Sequence, residues 1–418
     1  MKYRTIHTCR TCKGPLLDII SLGNQASIAF TEKPVSGEIV PMDLVLCTDC
    51  YLLQLKHTTD SSSLFNKNYG YRSGINETMK EELKNVVDGV QEHIKLDPDD
   101  VAVDIGCNDG TLLSNYPIDV FRVGFDPSLG TNLNSSNRLA EYCQENLSRW
   151  GAKYKIYCHF FNSEPYLMSF ENRAKVVTAI AMFYDLDDPN KFLRDVYSIL
   201  DDDGVFVIQQ NYLVGMLRNC AFDNVVHEHL EYYSLTSLEP LLKRNGFKVF
   251  DVEKREINGG SFRTYIKKAI SGKEESVRVE KMRQEEKDLR LDTKSPYIDF
   301  ANKVANLSGE LRHFIQKKVK EGKKVYIYGA STRGNSLLQA AKIDHTLISG
   351  AAERNPVKYG KFTAGTKILI VSEEEAREKA DYFLVLPWFF KSEFLEREKE
   401  FLGKGKHLIF PLPKLEII

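Results

Sequence analysis

The chain carries almost no excess charge: 57 Lys and Arg stand against 58 Asp and Glu, a formal net charge of −1 at pH 7. Without a basic or acidic surplus there is no global pull toward nucleic acid or an anionic membrane, so partners must be argued from individual sites. Long apolar runs are missing too. Met1-Lys2-Tyr3-Arg4-Thr5-Ile6-His7 lacks the apolar core of a secretory signal, and nowhere do 18 uncharged residues follow one another. The expectation is a soluble cytoplasmic protein with no membrane partner.

The eight cysteines fit a reducing compartment. Four form Cys9-x-x-Cys12 and Cys47-x-x-Cys50, while Cys107, Cys143, Cys158 and Cys220 stand singly. Paired CxxC motifs in such a compartment read as metal ligands rather than disulfides. Two knuckles complete a tetrahedral four-sulfur shell around Zn²⁺ and leave no open position, so the zinc is expected to be structural, worth on the order of 10 kcal/mol to a module too small to fold alone. The 34 residues between the knuckles imply an inserted excursion.

A third absence decides the ligand of the main domain. Val103-Asp104-Ile105-Gly106-Cys107-Asn108-Asp109-Gly110 is an apolar strand running into a glycine turn, but it lacks the third glycine of the G-x-G-x-x-G dinucleotide fingerprint. S-adenosylmethionine has no phosphate to cradle. It needs only a close backbone approach, which glycine permits, and acids for its ammonium and ribose. Asp104 suits the first task, and Asp126, ending the short strand Arg122-Val123-Gly124-Phe125, stands at about the 20-residue spacing of a ribose carboxylate. The plainer alternative is an ordinary α/β unit whose glycines make a tight turn.

Periodicity organises the remainder. An amphipathic helix is expected over 77–96 from Met79, Leu83, Val86, Val87, Val90 and His93. Strands follow at 101–105, 121–125, 154–160, 175–182 and 204–209, with helices ending near 148 and spanning 190–200, an alternation that implies a parallel doubly wound sheet. The charged stretch 271–295 reads as a solvated helix or linker with no function. A helical stripe of Tyr297, Phe300, Val304, Leu307, Leu311 and Ile315 then leads to Lys324-Val325-Tyr326-Ile327-Tyr328-Gly329, a second strand and glycine turn, with further strands at 368–371, 382–386 and 407–411. No acid is expected at the ribose distance after this second loop. Gly329, Arg333 and Gly334 instead offer amides and a guanidinium to a phosphate. The expected class is α/β: a zinc-binding module at 1–68, a central Rossmann-like, S-adenosylmethionine-binding domain at 69–272, and a second Rossmann-like domain at 273–418.

The densest reactive cluster is Asn224-Val225-Val226-His227-Glu228-His229-Leu230-Glu231-Tyr232-Tyr233-Ser234. Its histidines are two apart rather than four, which does not suit a zincin-like catalytic metal, whereas a histidine suits acid–base work at neutral pH. Tyr69-Gly70-Tyr71-Arg72-Ser73 could supply phenols to an oxyanion or to the cofactor carboxylate. Basic pairs such as Lys317-Lys318 and Lys323-Lys324 are the only encouragement for a nucleic-acid-binding zinc ribbon, and Glu321 interrupts them; no nucleic-acid partner is expected.

Taken in order, the two CxxC pairs, Tyr69 to Ser73, Asp104 to Gly110, His227-Glu228-His229 with Tyr232-Tyr233-Ser234, Asn258-Gly259-Gly260-Ser261-Phe262-Arg263 and Gly329 to Asn335 resemble, over essentially the whole chain, the S-adenosylmethionine-dependent C-methyltransferases of nucleotide-linked 4-keto deoxyhexoses. The resemblance implies His229 as the base for the C3 proton, Glu228 beside it and Tyr71 near the reacting centre. Cofactor contacts are expected from Tyr69, Ser73, Asp104, Gly106, Asn108, Gly110, Asp126, Asn162 and Met182, and substrate contacts from Asn211, Asn258, Arg263 and Arg333, in a monomer or weak oligomer. O-methylation on the same scaffold is the runner-up. Two positions bordering the sugar depart from the family's antibiotic-sugar branch. Val226 stands where a tyrosine precedes the His-Glu-His run, and Ala181-Met182-Phe183-Tyr184-Asp185 stands where the fourth strand ends near a histidine. Sugar identity, methylated atom and electrophile-activating group stay open, with Tyr184 or Asp185 as candidates for the vacancy.

Overall fold

The computed structural model describes residues 3–26, 30–66, 71–131, 137–149, 151 and 153–418, the side chain of Asn258 excepted. Its centre is a seven-stranded sheet in the order Phe247–Arg255, Ser261–Lys268, Leu200–Asn211, Ala174–Ile180, Val101–Ile105, Phe121–Phe125, Tyr154–Tyr157. The five strands from Leu200–Asn211 to Tyr154–Tyr157 are parallel, and Ser261–Lys268 runs antiparallel to both of its neighbours. Val101–Ile105 is buried along its whole length, as a strand covered on both faces must be. The strand order reverses beside it, so the crevice at the carboxyl ends opens at the glycine loop.

Helix Glu77–His93 follows the predicted stripe, burying Leu83, Val86, Val87 and Val90 with Asn76 as its cap. A second sheet is built from Ile370–Ser372, Gly350–Glu353, Val325–Tyr328, Tyr382–Val385, His407–Phe410 and Glu416–Ile417, parallel except for the last pair. The stripe ahead of it forms helix Ser295–Lys320, burying Tyr297, Phe300, Val304, Leu311 and Ile315. Gly350–Glu353 overturns one expectation, because an acid does end the strand beside the second glycine loop.

The three parts do not keep separate cores. The N-terminal antiparallel sheet of Leu16–Ala26, Ile39–Cys47 and Leu53–Leu55 is completed by Glu231–Tyr232 from the central domain, and Phe30–Thr31 pairs with Phe362–Thr363 of the C-terminal domain. Cys9, Cys47, Cys50 and Leu52 pack into the same apolar cluster as the central sheet. The charged stretch expected to be solvated also proves anchored. In helix Val277–Asp288, buried Glu286 accepts from Tyr212 Oη, Leu235 N and Thr236 N, capping helix Leu235–Arg244, while Arg278 pairs with Asp251. This segment therefore packs with the central domain rather than with the C-terminal one.

Candidate active site

The glycine loop is held open by its own acids. Gly106, at φ +80°, donates to the Phe125 carbonyl at 2.8 Å, and a Cβ there would meet Met182 Cγ at 3.2 Å. Glycine is thus required both by its backbone conformation and by the close approach of Met182. Asn108 N donates to Asp126 Oδ2 at 2.8 Å, and Ser128 N donates to Asp126 Oδ1. The strap ahead of the domain docks on the same loop, with Ser73 N on Asn108 Oδ1 at 3.0 Å, Asn108 Nδ2 on the Tyr71 carbonyl, and Gly74 N and Arg72 Nε on buried Asp109. Asp109 was not among the expected site residues, although it lies within the quoted motif.

Asp104 is enclosed, accepts from Thr178 Oγ1 at 2.6 Å, and is pushed up to about 7 by burial, with Asp126 adding to the shift. Asp126 is raised by burial as well. Two enclosed carboxyls side by side with no cation among their hydrogen-bond partners fit a positively charged sulfonium ligand bearing an ammonium group. Gly110 packs against Cys143 and Leu147, so it serves the seating of helix Arg138–Ser148. Asn162 follows the outermost parallel strand and accepts from Glu164 N. Tyr69 lies outside the described residues.

His229 stands at the far side of this crevice. Its Nδ1 lies 2.8 Å from the Asn224 carbonyl. An oxygen acceptor there requires the proton on Nδ1, which leaves the Nε2 lone pair as the basic site. Burial, with Arg333 as a lesser contributor, holds the ring's pKa down at about 4 and keeps it neutral. Tyr184 stands edge-on to it with centroids 4.5 Å apart. Leu230 N donates to the Tyr184 carbonyl and Leu55 N to the Leu230 carbonyl, so the zinc module's sheet fixes the segment immediately after the histidine. Asn211 Nδ2 reaches Asn224 Oδ1 at 3.4 Å.

From across the cleft, Arg333 donates to Asp223 Oδ2 at 2.7 Å and Trp388 Nε1 to the same oxygen at 3.3 Å. The structure thus brings together Glu228, His229, Asn211 and Arg333, and adds Asp223 and Asn224, which the sequence reading had passed over although Asn224 begins the run that contains the histidine.

Two expected residues lie elsewhere. Tyr71 is 48% exposed beside the glycine loop, and no described contact joins it to His229. Arg263 is fully buried against helix Glu77–His93, its nitrogens spent on Glu82, Asn85, Gln209, Glu253 and Tyr265. A guanidinium so committed ties helix to sheet and has nothing to offer a substrate. The Asn258 side chain lies outside the description, though its backbone belongs to the Ile257–Gly259 turn facing Trp388 and Arg333.

In the N-terminal module the four cysteine sulfurs lie within 4.8 Å of one another, with Cys9–Cys50 at 3.7 Å, Cys12–Cys50 at 3.5 Å and Cys12–Cys47 at 3.4 Å. A tetrahedron of bonds about 2.3 Å long would separate its sulfurs by roughly 3.8 Å, so the donor set fits Zn²⁺. Gln54 Nε2 donates to Cys9 Sγ at 3.3 Å, and its strand pairs Gln54 with Glu231.

Comparison with known proteins gives a methyltransferase-domain model over residues 75–252, a C-methyltransferase C-terminal-domain model over residues 256–413 and a zinc-binding-domain model over residues 9–65. The C-methyltransferase NovU of Streptomyces niveus is 30% identical over 436 positions, covering 99% of this chain and 97% of the relative. Among solved structures, an S-adenosylmethionine-dependent methyltransferase from Clostridium acetobutylicum aligns with 45% of this chain and 91% of its own at 15% identity and a TM-score of 0.34. The magnesium protoporphyrin IX methyltransferase of Synechocystis aligns with 47% and 89% at 13% identity and the same TM-score, 0.34. No described helix is long and apolar enough to cross a membrane.

Proposed function

The chain belongs to the S-adenosylmethionine-dependent C-methyltransferases with a zinc-binding N-terminal module, and from that premise we propose that it methylates C3 of a nucleotide-linked 4-keto-6-deoxyhexose with His229 as the base. The observation that carries this reading is the 2.8 Å contact of His229 Nδ1 with the Asn224 carbonyl. It fixes the tautomer, so Nε2 is always ready to accept, and the depressed pKa keeps the ring unprotonated at neutral pH.

A proton on the carbon beside a ketone is removable when charge can pass to the ketone oxygen, and the carbanion so formed is the nucleophile. S-adenosylmethionine, when bound, supplies an electrophilic methyl and leaves as its demethylated sulfide. Asp104, Asn108, Asp126 and Met182 around Gly106 would hold it, with Ser73 and Asn162 at the rim, and the docked Arg72–Gly74 strap would exclude water from one side. His229 takes the proton, and the Asn224 carbonyl stabilises the imidazolium through Nδ1. Glu228, next in the chain, has its Oε2 enclosed without a hydrogen-bond partner and would stand beside the reacting centre. Asn211 would meet sugar hydroxyls, and Arg333 the diphosphate, for which it would trade part of its pairing with Asp223.

A C-methyltransferase model and relative do not favour the O-methylation alternative. The test is a panel of 4-keto-sugar nucleotides with isotopically labelled cofactor, read by product NMR for a methyl on carbon rather than a methoxy group. Solvent deuterium should enter C3 in the wild type and not in His229→Ala. Undiminished turnover by that variant would overturn the assignment of the base.

A further inference from the structure

A neutral histidine with a pKa near 4 is a weak base for a carbon-bound proton. The energy missing from the base has to come from a strong, water-excluded donor at the ketone oxygen. Tyr71, at 48% exposure beside the cofactor loop, does not offer that setting. Asp185 does. It closes the Phe183–Asp185 turn after the strand Ala174–Ile180, its N–H bonded to the Met182 carbonyl at 3.0 Å, and the same turn carries Met182, three residues back, against Gly106 and Tyr184, immediately before it, against the His229 ring. Asp185 Oδ1 is enclosed and has no hydrogen-bond partner.

The groups that face Asp185 are Glu228 and Glu231 from the catalytic segment and the phenol of Tyr232. The nearby cations are engaged elsewhere, Arg10 with Gln54, Leu55 and Thr58, and Arg333 with Asp223. A carboxyl with one oxygen enclosed and unpartnered, facing two other acids, is disposed to hold its proton. Burial first and the two glutamates second push its pKa well above the ordinary carboxylate range.

We propose that Asp185 is a catalytic residue of this site, a carboxylic acid whose O–H is donated to the ketone oxygen as His229 removes the C3 proton. The proposal rests on the keto-sugar reading above. In the step, the C3–H pair becomes the C3–C4 double bond while the carbonyl π pair moves onto oxygen, which takes the proton from Asp185. When the new C3–CH3 bond forms, the enol π pair is spent on it, the sulfonium sulfur keeps the pair of the broken bond, C4=O re-forms and the proton returns to Asp185. The C3 proton leaves from His229 to solvent. A buried protonated carboxyl serving as donor is an established way of stabilising an enolate.

The experiment compares Asp185→Asn with Asp185→Ala in the full-length zinc-loaded protein, measuring deuterium entry at C3 with S-adenosylhomocysteine bound, kcat and KM against pH, and cofactor affinity by calorimetry as a control on folding. Asp185→Ala should lose about 10²- to 10³-fold in exchange rate and kcat with KM nearly unchanged. Asp185→Asn keeps an N–H donor of the same shape, so it should stay within about tenfold of the wild type and should lose the alkaline decline of kcat that the wild type shows as Asp185 gives up its proton. An Asp185→Asn variant as inactive as Asp185→Ala, or an Asp185→Ala variant exchanging at the wild-type rate, overturns the proposal. If the wild type exchanges with none of the 4-keto-sugar nucleotides, the keto-sugar reading is what fails. An infrared difference spectrum at pH 7, wild type minus Asp185→Asn, separately reads the proton: a carboxylic-acid carbonyl band supports the proposal and a carboxylate pair in its place overturns it.

Discussion

The two glycine loops of this protein share a backbone and differ in charge. Gly106 and Gly329 follow the first strands of their sheets with φ of +80° and +85°, and each is capped by a side chain that a Cβ would meet at 3.2 Å, Met182 in one case and Pro387 in the other. Both neighbouring strands end in an acid, Asp126 and Glu353. Around the first loop Arg72 is spent on Asp109, while the described partners of the other acids are uncharged: Asp104 is bonded to Thr178, and Asp126 to Asn108 and Ser128. Around the second, Glu353 is neutralised by Lys358, whose Nζ also holds the Ala330 carbonyl, and Arg333 begins the following helix. One topology thus carries buried carboxyls at one glycine loop and the basic side chains of Lys358 and Arg333 at the other. Strand order alone would not have told them apart.

The bluntest way to test this contrast is to remove the group between the loops. His229→Ala should lower kcat by 10²- to 10⁴-fold while leaving calorimetric affinities for cofactor and sugar nucleotide within about threefold, because the ring touches neither loop. A change confined to KM would mean that the histidine belongs to one of the binding sites rather than to the chemistry.

Matched substitutions in the loops sharpen it. Gly106→Ala and Gly329→Ala impose the same left-handed strain, about 1–2 kcal/mol, and the same crowding of a neighbour. The first should weaken S-adenosylmethionine binding by about 10-fold or more and leave sugar-nucleotide KM alone; the second should do the reverse. Equal effects of both variants on both ligands would dissolve the division of labour. Arg333→Met, read through KM at rising ionic strength, adds a smaller version of the same question. It should raise sugar-nucleotide KM by roughly tenfold and flatten its salt dependence, with cofactor affinity unmoved.

Sequence periodicity found the five parallel strands of the central sheet, because buried parallel strands are short apolar runs and the helices between them have apolar stripes, but it passed over the antiparallel pair Phe247–Arg255 and Ser261–Lys268. It missed Gly350–Glu353, since Gly-Ala-Ala-Glu has neither β-branched nor aromatic residues and becomes a strand only by pairing with Tyr326, Ile327 and Tyr328. The missing acid of the second loop was hidden for that reason. Arg263 illustrates the opposite failure. A glycine-flanked arginine after a turn reads as a ligand contact, and only the packing of helix Glu77–His93 over its strand reveals that Glu82 and Asn85 have claimed it. Glu286 was invisible in a run of charges because its partners, the amides at 235 and 236, lie some 50 residues away. The glycine turn, by contrast, was legible, because a glycine directly after an apolar strand signals the left-handed backbone that Gly106 adopts.

The smallest effect is also the most specific to the acidic loop. Burial raises Asp104 to about 7, so in the free protein near neutral pH this carboxyl is about half protonated, and a cationic ligand must find it ionised. Affinity for S-adenosylmethionine should therefore rise with pH through this window and level off above it, with roughly tenfold tighter binding at pH 8 than at pH 6. For folding the sign is reversed. Because the folded state holds this proton up to about pH 7 and the unfolded chain releases it near pH 4, Asp104 contributes stability below the unfolded value that is lost as pH climbs between the two. Asp104→Asn should flatten both dependences together. A cofactor affinity that stays level from pH 6 to 8 in the wild type would place the cation's partner elsewhere, and Asp126, raised by the same enclosure, would be the next carboxyl to substitute.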